Sequence, residues 1–346
     1  MSQTAHPTNP VPTAAQPPLR LGILGAARIA PRAVIYPARA MPTQVQITAV
    51  AARDPARARR FATDFAIPHV HADYAALVAD PEIDAIYNPL PNSLHAPWTL
   101  RALAAGKHVL CEKPMAANAE EAAHMAAAAA SSGNVLMEAF HYRYHPLITR
   151  ALEIIHAGEL GPIRHLEAIM CIPLYRFRDI RYRYALAGGA LMDVGCYAIH
   201  LLRTLSGQEP KVTRAHVWRW SEQIDRRTEA DFLFPTGQTG RIVCSLWSRT
   251  LLKFGARVVG EQGTLTIVNP FLPHYVHRLQ IVTPHGKRTE TVDRTPTYTY
   301  QMRAFVDAIR TGAAFPTDPA DAVANQRVID AVYHWAGLRL RGATTP

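Results

Sequence analysis

A short run rich in apolar residues, Leu19 to Leu24, ends on Gly25-Ala26-Ala27-Arg28-Ile29-Ala30, and no other junction so constrains the fold. It is a G-x-A-x-x-A version of the G-x-G-x-x-G/A fingerprint. Small residues there let the backbone turn tightly and approach a pyrophosphate, whose charge meets the N–H groups of a helix N-terminus. Read alone, the motif also suits a tight strand-to-helix turn without a ligand. Its position after the first strand favours the dinucleotide reading, with Gly25, Ala27, Arg28 and Ile29 against the cofactor.

From Leu19 to about Glu138, short apolar runs alternate with helical stretches, which predicts βαβ units around a parallel sheet. The expected strands are Leu19 to Leu24, Gln46 to Ala52, Ala85 to Asn88, His108 to Cys111 and Val135 to Glu138. Helix ends are readable between them: Asp54 caps a helix with Pro55 at its first position, and Asn118 with Glu121 forms a capping box before an Ala-rich helix ending at Gly133. After His141 the pattern changes. A helix near Pro146 to Ala157 precedes alternating runs such as Ile163 to Met170, Arg241 to Ser248 and Gly263 to Val268, which predict a largely antiparallel sheet. Two helices, around Tyr300 to Arg310 and Pro319 to Gly337, follow. The expected fold class is α/β: a disordered Pro-rich arm over 1–18, a Rossmann domain over 19–138, and a substrate-binding and oligomerisation domain over 139–346 with a large open sheet.

With 346 residues, 49% of them hydrophobic, the chain has enough apolar material for two domains. No stretch approaches the roughly 20 uninterrupted apolar residues of a membrane span. Cys111, Cys171, Cys196 and Cys244 lie far apart with no C-x-x-C pair, so neither a disulfide framework nor a metal site is expected, and a cytoplasmic location fits. The formal charge of +10 is scattered instead of gathered into a basic tract, which argues for an anionic small ligand over nucleic acid.

Arg53, at the end of the second strand, stands where such folds choose between NAD and NADP, and a cation there suits a 2′-phosphate. Asp54 is better employed as a helix cap. NADP is therefore expected ahead of NAD. Strand C-terminal ends also bring Asn88, Pro89, Asn92 and His95 towards ribose or nicotinamide, although Asn beside Pro is also ordinary turn chemistry. The next strand ends in Cys111-Glu112-Lys113-Pro114, where Pro114, in cis if the turn requires it, aims the Lys113 ammonium at the cleft. In Gly188-Gly189-Ala190-Leu191-Met192-Asp193-Val194-Gly195-Cys196-Tyr197, Asp193 and Tyr197 share a helix face. Tyr is a plausible proton donor to a carbonyl, and a cation such as Lys113 would help its phenolate form. His200 reads as a packed, hydrogen-bonded histidine.

These residues together resemble the Gfo/Idh/MocA oxidoreductase family, from Leu19 to about Gly337. Glu112-Lys113-Pro114 matches its E-K-P motif. Tyr197, where many members carry His, is similar to the branch of glucose-fructose oxidoreductase, dihydrodiol dehydrogenase and NADP-dependent xylose dehydrogenase, as are Arg53 and Glu138-Ala139-Phe140-His141-Tyr142-Arg143-Tyr144. The resemblance implies that Lys113 and Tyr197 form the catalytic pair with Asp193 beside them, and that the open sheet makes a homodimer or homotetramer. Glu112 falls within the expected cofactor site, and Arg143 and Arg181 join Lys113, Asp193 and Tyr197 as expected contacts for a sugar-like or diol substrate. Two other readings stay open: an NAD-dependent glycosidase of the same fold, and a non-catalytic NADP or sugar sensor.

Overall fold

In the computed structural model, which describes residues 16–342, the chain builds two sheets. The first is six-stranded and parallel, in the order β3-β2-β1-β4-β5-β6, with β1 Leu19–Leu24, β2 Val45–Ala51, β3 His69–Val70, β4 Ala85–Asn88, β5 His108–Cys111 and β6 Leu136–Glu138. Helices α1 Tyr36–Ala40, α2 Pro55–Phe65, α3 Tyr74–Ala79, α4 His95–Ala104 and α5 Ala119–Ser132 connect the strands. Leu21, Ile23, Val50, Ile86 and Leu110 are fully buried, as strands covered on both faces require. The strand order reverses between β1 and β4, and a ligand crevice opens at their carboxyl ends. Strand β3 is a two-residue edge whose exposed side chains carry no alternating signal. Most of the expected arm lies outside the described residues, although the Pro17 carbonyl accepts a hydrogen bond from Arg310 (2.9 Å).

After α6 Pro146–His156 come β7 Ile163–Cys171, α7 Cys196–Ser206, β8 Lys211–Ser221, β9 Ile224–Leu233, β10 Thr239–Ser245, β11 Lys253–Gly260, β12 Thr264–Val268, β13 Arg278–Thr283 and β14 Gly286–Glu290. The eight strands form one sheet in the order β14-β13-β12-β11-β7-β10-β9-β8, antiparallel except for the β7–β10 pair. Helix α7 packs on β7 and β10. The segment Tyr184–Ser206 is apolar enough to cross a membrane by composition, yet 83% of its most apolar window is buried as a core helix.

The domain boundary expected at 138 does not hold for the end of the chain. Helix α8 Thr297–Thr311, expected in the second domain, puts Tyr298, Met302, Phe305 and Val306 into the same apolar cluster as Leu21, Ile23 and Tyr87 of the first. Helix α9 Pro319–Trp335 packs against both α5 and α7. An amphipathic pattern reports that a face is buried but not which domain buries it.

The second domain also anchors the helix that carries Asp193 and Tyr197. Asp225, fully buried, accepts from the Leu191 N–H (2.7 Å), Thr228 Oγ1 (2.8 Å) and Tyr333 Oη (3.0 Å), and pairs with the equally buried Arg341 (3.3 Å). Arg341 Nε donates to the Gly188 carbonyl (2.7 Å). Removing one partner of such a pair typically costs about 3–5 kcal/mol. The two glycines are sterically required: a Cβ on Gly188 would lie 2.5 Å from the Arg181 carbonyl oxygen, and one on Gly189 (φ +133°) would lie 2.3 Å from Asp225 Oδ1.

Candidate active site

Between the two domains lies a cleft of about 520 Å³. The first domain contributes Ile29, Arg32, Pro89, Leu90, Asn92, His95, Glu112 and Lys113, and the second contributes Met170, Ile172, Arg181, Asp193, Tyr197 and Phe271. Lys113 enters from the end of β5, and its peptide bond to Pro114 is cis. Asp193 sits in a wide π-helical turn, Leu191–Gly195, that runs directly into α7. The sequence reading takes this stretch as regular α-helix; the wider turn leaves both Asp193 and Tyr197 on the cleft wall.

Lys113 Nζ donates to the Asp193 main-chain oxygen (2.8 Å) and lies 3.4 Å from its Oδ1, while Arg181 Nε stands 2.9 Å from Oδ2. Burial alone would raise the Asp193 carboxyl, but Arg181 and then Lys113 outweigh it and bring the pKa down to about 2. Burial likewise opposes the Lys113 charge, and Asp193 more than restores it, so the lysine is held cationic. Arg181 also pairs with Asp179 (3.0 Å). Its guanidinium is thus committed to two carboxylates.

The Lys113 ammonium lies over the face of the Tyr197 ring, 4.7 Å from its centroid. At the phenol oxygen stands His141, whose Nε2 is 3.1 Å from Tyr197 Oη and whose Nδ1 is 2.8 Å from Thr297 Oγ1. Burial pushes the Tyr197 hydroxyl well above its ordinary pKa, with Tyr298 and Glu112 adding to the effect, so it rests as a phenol. Burial, with Lys113 beside it, pushes His141 well below its usual range and keeps the imidazole neutral. The expectation that Lys113 eases phenolate formation therefore meets a different local balance. The cation acts on the ring face, and desolvation dominates at the oxygen.

At the carboxyl ends of β1 and β2 the residues fit a dinucleotide. Gly25 adopts φ +90°, where a Cβ would stand 3.2 Å from Leu90 Cδ2, so glycine keeps the turn tight. Among the described residues, the backbone N–H groups of Ala26, Arg28 and Ile29 meet no protein acceptor. Asp54 caps α2 by accepting from the Ala56 and Arg57 N–H groups (2.9 and 3.3 Å), as the sequence indicates, and its neighbour Arg53 is exposed.

The other expected site residues divide. Ile29, Pro89, Asn92, His95, Glu112, Lys113, Arg181, Asp193 and Tyr197 line the cleft, and Gly25, Ala27, Arg28 and Arg53 belong to the edge just described. Asn88 is spent internally, its amide donating to the His95 carbonyl and Thr99 Oγ1 (both 3.2 Å). His95 lies between the carbonyls of Pro114 (2.9 Å) and Leu90 (2.7 Å), Glu112 accepts from Tyr87 Oη (2.7 Å), and Asn92 donates to the Ala187 carbonyl across the cleft (3.0 Å). Arg143 is not in the cleft lining. His200 stacks on Phe140 with centroids 4.1 Å apart and contacts Tyr142 Oη (2.5 Å) and Asp321 (2.9 Å), the packed role expected of it. Sequence alone assigns no role to His141, although it follows β6 by three residues, at the edge where ligand-facing residues cluster.

Comparison with known proteins adds the following. Residues 19–140 match the family described as "Oxidoreductase family, NAD-binding Rossmann fold", and residues 148–266 match the "GFO/IDH/MocA C-terminal domain". The chain is 36% identical to D-xylose 1-dehydrogenase (NADP(+)) 2 of Haloferax volcanii, over 92% of this chain and 97% of that protein. It is 37% identical to a dTDP-3,4-didehydro-2,6-dideoxy-alpha-D-glucose 3-reductase of Streptomyces violaceoruber, over 84% and 85% respectively. A 3-ketoreductase from Actinomadura kijaniata, solved in complex with NADP and TDP-benzene, superposes with a TM-score of 0.86 at 29% identity, covering 92% of this chain and 98% of that one.

Proposed function

Because the chain belongs to the GFO/IDH/MocA oxidoreductase family, we propose that it uses NADP to interconvert a hydroxyl and a carbonyl on a small sugar, polyol or dihydrodiol, with Tyr197 and Lys113 as its proton-transfer pair. The observation that carries this reading is the cluster of Lys113, from the nucleotide-binding domain, with Asp193, Tyr197 and His141 in a cleft that Ile29 and Pro89 also line. The pyrophosphate would rest on the free N–H groups after Gly25, and Arg53 would meet the 2′-phosphate. When bound, the nicotinamide supplies hydride exchange.

The rest of the chemistry belongs to this chain. In reduction the Tyr197 hydroxyl gives its proton to the substrate carbonyl oxygen and is left as the tyrosinate; oxidation is the reverse step, in which the tyrosinate takes the proton of the substrate hydroxyl and becomes the phenol again. Resting as a phenol, Tyr197 carries the proton that reduction needs. Lys113, fixed by Asp193, keeps a positive charge beside the ring as charge develops on the oxygen, and Arg181 holds Asp193 in place. Proton transfer of this kind contributes a factor of roughly 10²–10⁴. Arg181 then serves the substrate through Asp193, not as a free cation for an anionic group.

The test is absorbance of reduced nicotinamide with NADP across a panel of aldoses, polyols and dihydrodiols. Net reduction with one of them supports the reading; release of a leaving group without net reduction would instead mark a glycosidase. The four buried, free cysteines suit a reducing cytoplasm. Leu233, Val282 and Trp220, exposed on the outer strands β9, β13 and β8 of the second sheet, support assembly into a homodimer or homotetramer through it, which sedimentation would measure.

A further inference from the structure

The reading above leaves open how the Tyr197 hydroxyl, a rotor, comes to aim its proton at substrate. Its oxygen meets one protein partner among the described residues, His141 Nε2 (3.1 Å). His141 is itself buried, 3% exposed, and its other nitrogen meets Thr297 Oγ1 (2.8 Å). Thr297 is fully buried at the start of α8, and among the described residues its hydroxyl has no partner except that nitrogen.

A neutral imidazole has one donor and one acceptor nitrogen, and each tautomer distributes the protons differently. With the proton on Nδ1, His141 donates to Thr297 Oγ1 and the Thr297 hydroxyl proton is left buried without an acceptor. Tyr197 must then donate to Nε2, which turns its proton away from the cleft. With the proton on Nε2, Thr297 donates to Nδ1, Nε2–H donates to Tyr197 Oη, and the tyrosine proton is free to point into the cleft. Only the second arrangement leaves no buried donor unpaired, and an unpaired buried donor costs about 1–3 kcal/mol.

We propose that His141, locked by Thr297 in its Nε2–H tautomer, is the positioning residue that aims the Tyr197 proton at the substrate oxygen. The proposal rests on the reading of Tyr197 as the proton-transfer group. The same N–H then donates to the tyrosinate left when that proton departs, a charge-assisted hydrogen bond stronger than the one to the phenol. His141 exchanges no proton in the step. The O–H bond broken on Tyr197 is replaced by the O–H bond formed on the substrate.

Nitrogen-15 NMR of the full-length, histidine-labelled protein without cofactor reads the tautomer directly, with the His141 signals identified by their loss in His141→Gln. A protonated Nε2 and a bare Nδ1 are expected at neutral pH; a proton on Nδ1, or on both nitrogens, overturns the proposal. Turnover gives the second readout. His141→Phe keeps a ring in the same space and should lower kcat about tenfold to a hundredfold, the range for losing a hydrogen bond to a charged group, with KM little changed. His141→Gln, whose amide N–H can stand near the Nε2 position, should recover most of that loss. If His141→Phe turns over like wild type while Tyr197→Phe is inactive, the inference fails and the assignment of Tyr197 stands. If Tyr197→Phe itself turns over normally, the assignment fails and takes the inference with it.

Discussion

The edge after β1 and β2 and the charged cluster inside the cleft follow opposite electrostatic plans. On the nucleotide side, Arg28, Arg32 and Arg53 are exposed and, among the described residues, none lies within ion-pair distance of a carboxylate. Around the proposed proton-transfer pair, Lys113, Arg181, Asp179 and Asp193 form a closed, mostly buried set in which every charge meets its opposite. Free cations at an exposed edge suit a polyanion that comes and goes. Paired, desolvated charges suit a geometry already in place when the substrate arrives, where reorganisation would cost rate. Binding and chemistry should therefore separate cleanly on mutation.

The largest expected effect is on the paired side. Tyr197→Phe deletes a hydroxyl while keeping the ring packed on Phe140 and Phe271, and should lower turnover about 10³-fold with NADP affinity nearly unchanged. A parallel loss of NADP binding in a titration would break the separation. Next, Lys113→Met removes the cation over that ring and leaves Asp193 to Arg181 alone. Turnover on the best substrate should fall on the order of 100-fold, again with modest change in cofactor binding. A near-normal rate would exclude Lys113 from the pair.

On the open side the pattern inverts. Arg53→Asp should weaken NADP binding about tenfold to a hundredfold, the range for a charge-assisted contact, while NAD binding holds or improves. Fluorescence titration of both cofactors measures this, and tighter NAD than NADP binding by the wild type would contradict the role of Arg53. kcat at saturating cofactor should be little affected.

How much of this was legible in sequence follows the same divide. The β1 turn, the Asp54 cap and the Lys113-Pro114 edge are written in contiguous residues, and the structure finds them where local chemistry puts them. Strand β3 escaped because two exposed residues carry no periodicity. His141 and Thr297, 156 positions apart, escaped because their meeting depends on α8 crossing back to the first domain. Arg143 and Asn88 were singled out by motif position; Arg143 lies outside the cleft lining, and the Asn88 amide donates to the His95 carbonyl.

A smaller effect concerns Glu138, whose buried carboxyl accepts from the Met115 N–H (2.7 Å) while its Oε2 is unpartnered among the described residues. Burial, with Asp321 adding to it, raises its pKa to about 8. An unfolded Glu titrates near about 4.3. Between these values the folded chain holds a proton that the unfolded chain has lost, so stability falls as pH rises through that window. Glu138→Gln removes this slope. Its melting temperature should gain on the wild type by a few degrees between pH 5 and pH 8. A difference that stays constant with pH would contradict the buried, protonated state.

The central claim is that Tyr197, at the cleft, moves the proton, and that His200, three residues further along the same helix and bound to Tyr142 and Asp321, does not. Single-turnover hydride transfer at saturating NADP, measured side by side in Tyr197→Phe and His200→Asn, removes binding and release from the comparison. The account predicts that Tyr197→Phe is slowed by about three orders of magnitude while His200→Asn transfers at close to the wild-type rate, its cost falling on stability. Wild-type transfer in Tyr197→Phe with a dead His200→Asn would contradict it.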